Sequence, residues 1–241
     1  GQKLWISTAQ VANKMLLLAR TTPEEDVPKG SSAGLSLFYT DIDRARVEMR
    51  EIDKMGRAAV DSNQVFIDGL EIPAGDRIGA EGEGFRYILH GMNPERVLVA
   101  AEAVGLGRAA LARAAAYAKE RIVFGRPIGQ NQGIQHPLAE RWIELQAAEL
   151  LVLKAAWTYD RHEAGAAAAG IAANAAKFFA AESCFRACET AVMTLGGMGY
   201  AKEYDVERYL RESFIARIAP VSPHMILNFI AEKALGLPKS Y

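Results

Sequence analysis

Two regimes of hydrophobic patterning divide the chain. Up to about residue 75, apolar residues come in short runs set apart by turn residues. Leu4-Trp5-Ile6-Ser7, Met15-Leu16-Leu17-Leu18-Ala19 and, after the turn Lys29-Gly30-Ser31-Ser32, Leu35-Ser36-Leu37-Phe38-Tyr39 each have strand length. Val47-Glu48-Met49-Arg50-Glu51-Ile52 alternates apolar with polar, the pattern of a half-exposed strand. Gln64-Val65-Phe66-Ile67 leads through Asp68-Gly69 to Leu70-Glu71-Ile72-Pro73, expected to be one more strand. Strands in succession without intervening helices predict an antiparallel sheet or small barrel.

Beyond the linker Ile78-Gly79-Ala80-Glu81-Gly82-Glu83-Gly84-Phe85 the period lengthens. Val97, Ala100, Ala101, Val104, Leu111, Ala114, Tyr117, Ala118 and Ile122 recur at helical spacing and predict one long helix with a buried face. Pro94 after Asn93 suits a first turn, so the helix is expected to begin there. Phe124-Gly125-Arg126-Pro127 ends it. A second helix is predicted over about 134–161, facing inward with Ile134, Leu138, Trp142, Leu145, Ala148, Leu151 and Ala155. An alanine-rich third, over about 165–195 after the alanine tract at 164–169, stops at Leu195-Gly196-Gly197-Met198-Gly199-Tyr200. Short helices follow at about 203–217 and 223–235. Long antiparallel helices with short loops make a four-helix-type bundle. The fold class is therefore α+β: a partial antiparallel β domain over residues 1–78, then an all-α bundle over residues 79–241.

Composition narrows the function classes. The 241 residues suffice for one or two domains with a sizeable core. A formal net charge of -1 argues against nucleic acid and anionic membrane surfaces as partners. No apolar run is long enough to span a bilayer, and no signal-peptide pattern opens the chain. Cys184 and Cys188 fall on one helix face, where backbone separation disfavours a mutual disulfide. They read as reduced core residues in a reducing compartment. The histidines at 90, 136, 162 and 224 have no metal-ligand spacing, so no metal site is expected. The chain opens on Gly1-Gln2-Lys3 and runs directly into a strand, as the interior of a domain does. It reads as a fragment.

Five motifs carry a family resemblance. Lys3-Leu4-Trp5-Ile6-Ser7, Glu81-Gly82-Glu83-Gly84-Phe85, Arg121-Ile122-Val123-Phe124-Gly125, Gln132-Gly133-Ile134-Gln135 and Leu195-Gly196-Gly197-Met198-Gly199-Tyr200 stand in an order and spacing that resemble acyl-CoA dehydrogenases. The likeness covers the whole chain and roughly the last three-fifths of a typical member. It implies FAD as cofactor, an acyl-CoA thioester as substrate, electron-transfer flavoprotein as acceptor and a homodimer or homotetramer. The reaction it implies is α,β-dehydrogenation, in which a carboxylate takes the α-proton while the β-hydrogen leaves as hydride to the flavin N5.

The resemblance also assigns residues. Trp5, Ile6 and Ser7 correspond to the flavin-side strand, with the indole against the ring and the hydroxyl near N5. Arg121, Phe124 and Gln132 correspond to contacts with the ADP moiety, and a guanidinium suits a pyrophosphate. Met193, Gly196 and Gly197 lie in the turn that approaches the cofactor, Met193 replacing the usual glutamine. Ser222 and His224 match further cofactor contacts, and Asn93 and Arg96 lie on the substrate side.

Many members carry a catalytic glutamate in a Tyr-Glu-Gly-Thr motif near the C-terminus. This chain reads Ala219-Pro220-Val221-Ser222-Pro223-His224 there, with proline at the glutamate position. Two readings follow. In one, the base has moved to Glu95 on the long helix, as in isovaleryl- and long-chain-type members, with Arg96 as an ion-pairing partner. In the other, the site has lost its base, and the protein is a flavin-binding relative such as the DNA-alkylation-response branch. Glu95 in a first helical turn would also favour the dipole without any chemistry. Glu95 and Arg121 stand 26 positions apart, roughly 39 Å along an unbroken helix. That exceeds an extended FAD, so the two would serve cofactors in different subunits.

Overall fold

The computed structural model describes residues 1–161 and 165–240. Two compact units emerge, Gly1–Met92 and Asn93–Tyr241.

The first unit contains β1 (Gln2–Ser7), β2 (Lys14–Arg20), β3 (Leu35–Asp41), β4 (Val47–Glu51), β5 (Ser62–Ile67) and β6 (Arg77–Ile78). They form two three-stranded sheets, in the orders β1-β5-β4 and β2-β3-β6. Every pairing is antiparallel. Lys3 Nζ, reaching from β1 to the Leu18 carbonyl of β2 at 2.9 Å, links the two sheets. A small core of Ala9, Val47 and Val65 gathers Met15, Met49, Ile67 and Leu70 around it. The strand expected at Leu70–Pro73 does not form. Gly69 at φ 62 turns the chain and Leu70 drops into that core, while Pro73 has no N–H to offer a ladder.

A long helix, α1 (Gly84–Glu120), begins nine residues before the expected start, so Pro94 lies inside it rather than in its first turn. Gly84 fixes the beginning. A Cβ there would stand 2.4 Å from the Leu37 nitrogen of β3, so only glycine lets the helix start against that strand. Just upstream, the Gly82 N–H donates to Ser36 Oγ at 2.9 Å.

The second unit takes up α1 from Asn93. Next come a hairpin of β7 (Ile122–Val123) and β8 (Arg126–Pro127), then α2 (Gln132–Asp160) and α3 (Gly165–Leu195). A 3₁₀ turn at Gly196–Tyr200 precedes α4 (Val206–Ile218) and α5 (Pro223–Lys233). His162 and Ala164, which figured in the histidine survey and the alanine tract, lie outside the described residues.

Small side chains build the core of this unit. Ala100, Ala103, Val104, Ala110 and Ala114 of α1 meet Ala148, Val152 and Ala155 of α2 and Ala176, Ala180, Ala181, Cys184, Cys188 and Ala191 of α3. Such residues let helix axes approach closely. The tightest point is Gly107, where a Cβ would stand 2.8 Å from Leu145 Cδ2 of α2 and 3.3 Å from Cys184 Cα of α3. The α+β class with a helical bundle stands as expected. Within the stripes, three residues depart from the expectation. Ala101 and Ile122 are exposed, and the buried row runs instead through Ala103, Gly107 and Ala110. Trp142 is exposed and joins Ile143, Leu150, Leu153 and Trp157 on an outward apolar face of α2. Both cysteines are free and fully buried. The hydrogen bond to Cys188 and burial push the Cys184 thiol up, which keeps it protonated.

A larger side chain at Gly107 must push α1 away from both neighbours. Gly107→Val is expected to lower the unfolding free energy by about 1–3 kcal/mol in a denaturant titration followed by helical circular dichroism.

Candidate active site

At the C-terminal end of α1 the chain makes a two-residue hairpin loop. Phe124 has φ 52 and Gly125 φ 77, so both central residues are left-handed, as a type I′ turn requires. Glycine adopts this freely, whereas phenylalanine does so at a cost of about 1–2 kcal/mol. The turn thrusts the Phe124 ring fully into solvent. Arg126 and Asn131 brace the hairpin base, Nη2 donating to Oδ1 at 2.6 Å.

Arg121 sits beside this hairpin. Together with Tyr117, Val123 and Ile128 it lines one side of a depression of about 330 Å³. Thr194, Leu195, Gly196, Gly197 and Met198 line the other. Arg121 forms no ion pair among the described residues. The three glycines of the motif at the end of α3 divide in role. Gly199 is structural, since a Cβ would meet the Val192 carbonyl at 2.2 Å. Gly196 (φ 59) and Gly197 have nothing within 4 Å of the same position, so their backbone faces open space in the depression. Met193, 74% exposed, lies one turn earlier on α3, and Gln132 is the exposed first residue of α2.

In the first unit, Trp5 occupies a β-bulge. Lys3 pairs with Val65 and Ile6 with Asn63, so Leu4 and Trp5 together oppose the single residue Gln64. Trp5 has φ 60 and is 62% exposed, and Leu4 and Ile6 are exposed beside it. Buried Asn63 holds the bulge, its Nδ2 donating to the Ile6 carbonyl at 3.1 Å while its Oδ1 accepts from Gln10 Nε2 at 2.7 Å. Ser7 ends the strand, also exposed. Trp5 and Phe124 are thus two aromatic residues held in strained backbone and turned outward, an arrangement that packing alone does not favour.

The N-terminal part of the same unit-two helix carries the other cluster. Glu95 is exposed on α1. Arg96 is buried and, contrary to expectation, pairs with an amide rather than a carboxylate: its Nη1 donates to Asn93 Oδ1 at 2.9 Å. Its Nε is buried without a partner. Burial lowers the Arg96 pKa, and the Glu95 charge opposes that shift. Asn93 Oδ1 faces Gly170 of α3, where Phe229 of α5 also arrives. Close to Arg96 lies Lys177 of α3, 1% exposed, whose Nζ donates to the Val221 carbonyl at 2.7 Å and lies 3.5 Å from the Arg217 carbonyl. Between those two acceptors runs the cis peptide Ala219–Pro220. Ser222 caps α5, its Oγ accepting from the Met225 N–H at 3.4 Å, and His224 is exposed in the first turn.

Arg121, Gly196 and Gly197 therefore share one depression, with Phe124 on the adjoining turn. Asn93 and Arg96 share a second cluster. Glu95 and Arg121 stand near opposite ends of an unbroken helical stretch and do not meet.

The profile of the family described as acyl-CoA dehydrogenase, C-terminal domain, matches residues 82–235. The chain belongs to the acyl-CoA dehydrogenase family. Acyl-CoA dehydrogenase FadE12 of Mycobacterium tuberculosis (strain H37Rv) is 41% identical over 241 residues, 100% of this chain and 61% of that protein. The chain thus spans about three-fifths of the length of such curated relatives. A solved glutaryl-coenzyme A dehydrogenase in complex with glutaryl-CoA superposes with a TM-score of 0.90 at 31% identity, covering 100% of this chain and 59% of that one. An FAD complex of PigA gives a TM-score of 0.89 at 25% identity, covering 98% and 60%.

Family motifs led to the depression but not to all of its lining. Tyr117 and Thr194 were read as helix residues, and no spacing distinguishes them from core. Lys177 escaped notice altogether. Its signal was present: a lone lysine in the run Asn174-Ala175-Ala176-Lys177-Phe178-Phe179, in the alanine-rich first half of α3 where no other charged residue stands before Glu182.

Phe124→Gly removes the left-handed strain of about 1–2 kcal/mol against a chain-entropy cost of about 1 kcal/mol. Unfolding free energy is expected to stay within about 1 kcal/mol of the parent, although an aromatic is deleted. A denaturant titration checks this, and a loss well beyond about 1 kcal/mol would show that the exposed ring contributes to folding.

Proposed function

We propose that the protein is an FAD-dependent acyl-CoA dehydrogenase that converts an acyl-CoA thioester to the 2-enoyl-CoA. The depression formed by Arg121, Gly196 and Gly197 carries this reading. It offers a guanidinium without an ion pair and two glycines whose backbone can be approached closely, the donor set that a pyrophosphate-bearing cofactor needs. Phe124 and Gln132 extend the same surface. In the first unit Trp5 presents a flat apolar face, Ile6 flanks it and Ser7 supplies a hydroxyl. Family membership and the FAD complex of a structural relative support the assignment. Bound there, the flavin supplies the acceptor for the β-hydride, and an electron-transfer flavoprotein is the proposed acceptor of the electrons afterwards.

The proton is the business of the chain. Pro220 occupies the position where many members carry the glutamate, and it has no group that accepts a proton. Glu95 is the proposed base. A base for the α-proton must stand within hydrogen-bond reach of the α-carbon and be shielded from water as the proton moves. Asn93, which orients Arg96, completes this substrate-side cluster. Ser222 and His224 present polar groups at the start of α5.

The same helix argues for assembly. Glu95 and Arg121 are roughly 39 Å apart along α1, too far for one FAD to meet both. We therefore assign Arg121, Phe124 and Gln132 to the cofactor of a neighbouring subunit in a homodimer or homotetramer. The outward face of Trp142, Ile143, Leu150, Leu153 and Trp157 on α2 gives such an assembly apolar surface to bury.

Glu95→Gln in the flavin-loaded protein is expected to retain flavin yet slow its bleaching by acyl-CoA by roughly 10²–10⁴-fold. Bleaching at the parental rate would place the base elsewhere. Light scattering is expected to return a dimeric or tetrameric mass at micromolar protein, and a monomeric mass would remove the subunit-bridging role of α1.

A further inference from the structure

Lys177 is the largest fully buried side chain among the described residues. Among the described residues it has no carboxylate partner, and both of its acceptors are backbone carbonyls. Burying an ammonium without a counter-ion is costly, and an apolar residue of similar length would pack there at less expense. Stability alone does not account for the charge.

Its acceptors explain it better. The Arg217 carbonyl belongs to the last turn of α4, where carbonyls lack intrahelical partners and the helix dipole favours a cation. The Val221 carbonyl lies just beyond Pro220. The ammonium thus spans the whole turn from α4 to α5. Two further contacts from α3 clamp the same helix end: Arg217 Nε donates to Glu182 Oε1 at 2.8 Å, and its guanidinium stacks on the Phe185 ring at 4.4 Å. On the other side Lys177 is close enough to Arg96 to feel its charge. Hydrogen bonds therefore join Asn93 to Arg96 and Lys177 to the turn that launches Ser222 and His224, and the like charges of Arg96 and Lys177 couple the two sets through space.

We propose that Lys177 is a positioning residue of the dehydrogenation site. Its ammonium holds the Ala219–Ser222 turn through the Arg217 and Val221 carbonyls, and so sets the place of Ser222 and His224 relative to the Glu95–Arg96 end of α1. This inference rests on the acyl-CoA dehydrogenase reading. The charged groups that face Lys177 are Arg96 on α1, Glu182 on α3 and Arg217 on α4. In its first two turns α5 offers only His224, which is exposed. Burial first, then the Arg96 charge, push the Lys177 pKa down to about 8, with Glu182 opposing. The sign follows. Below about pH 8 the ammonium and its charge-assisted hold are present, and above it they weaken. Fold stability moves the other way: the unfolded chain binds the proton more tightly, so the native state gains as pH rises from about 8 towards the ordinary lysine value of 10.5. A loss of activity above pH 8 without a loss of stability would therefore mark the positioning role.

The test compares flavin-loaded parent, Lys177→Met and Lys177→Gln by three measurements: helical circular dichroism, hydrogen–deuterium exchange of the peptide around Ile218–Met225, and flavin reduction by saturating acyl-CoA across pH. Both variants are expected to keep their helical signal. Exchange in the turn should rise about ten- to hundredfold, the equivalent of one charge-assisted hydrogen bond, while the centre of α3 stays protected. Flavin reduction should slow on the order of a hundredfold. The parental loss of rate near pH 8 should vanish from both variants, and glutamine, which keeps an N–H donor, should recover part of the rate. Unchanged exchange in the turn overturns the proposal, and so does faster exchange with a parental reduction rate. Rate loss that merely tracks loss of helical signal in both variants overturns it as well. Failure of every acyl-CoA to reduce the parental flavin overturns the dehydrogenase reading and with it the catalytic role. The exchange result distinguishes that failure from a failure of the ammonium's hold.

Discussion

Close approach of helices through small side chains is the constraint on which the second unit depends. Where α1 crosses α2 and α3, Gly107 leaves 2.8 Å between a would-be Cβ and Leu145. Most of the rest of the interface is alanine, with the two cysteines, Val104 and Val152. A core of this kind gains less from each residue than one of leucine and phenylalanine, because each small side chain removes little apolar surface from water. It compensates with many contacts at short range along three long helices. The rigidity this brings allows the helix ends, where the backbone N–H and C=O groups are unsatisfied, to be placed accurately.

The candidate site residues gather near those ends. The hairpin after α1, the glycine turn after α3 and the capped start of α5 are all places where regular hydrogen bonding stops. One cluster offers the open backbone of Gly196 and Gly197 beside the Arg121 guanidinium, which has no ion pair among the described residues, a combination suited to anions. The other is a buried cationic junction of Arg96 and Lys177, with Glu95 at its edge. Their separation along α1 is a property of helix geometry and needs no knowledge of a ligand.

Much of this was legible in residues. Short runs between turn residues, one of them alternating, located five strands, and the switch to helical spacing located the bundle. Leu70–Pro73 misled because an apolar segment that caps a core from a turn has the same composition as a short strand. The start of α1 was missed for a different reason. Pro94 is a familiar first-turn residue, but the true start at Gly84 depends on the Leu37 backbone of a strand far away in sequence. Ala101 and Trp142 show how far periodicity reaches. It finds the apolar side of a helix, yet alanines on both sides of α1 and two apolar faces on α2 leave the phase open until neighbours are known. The motif residues of the site were visible, while the strain at Trp5 and Phe124 was not, since positive φ at an aromatic has no compositional signature. Lys177 was readable only as an anomaly, because its acceptors are backbone carbonyls and carry no sequence identity.

The cap at Ser222 has one more implication. Its oxygen accepts from the Met225 N–H to close the first turn of α5. A hydroxyl has a single proton, and this one is not needed by the helix. Towards anything near the start of α5, Ser222 therefore keeps its proton to donate, with one lone pair still able to accept. The local folding code of α5 thus leaves a donor in hand at the helix start, set by the direction of one hydrogen bond.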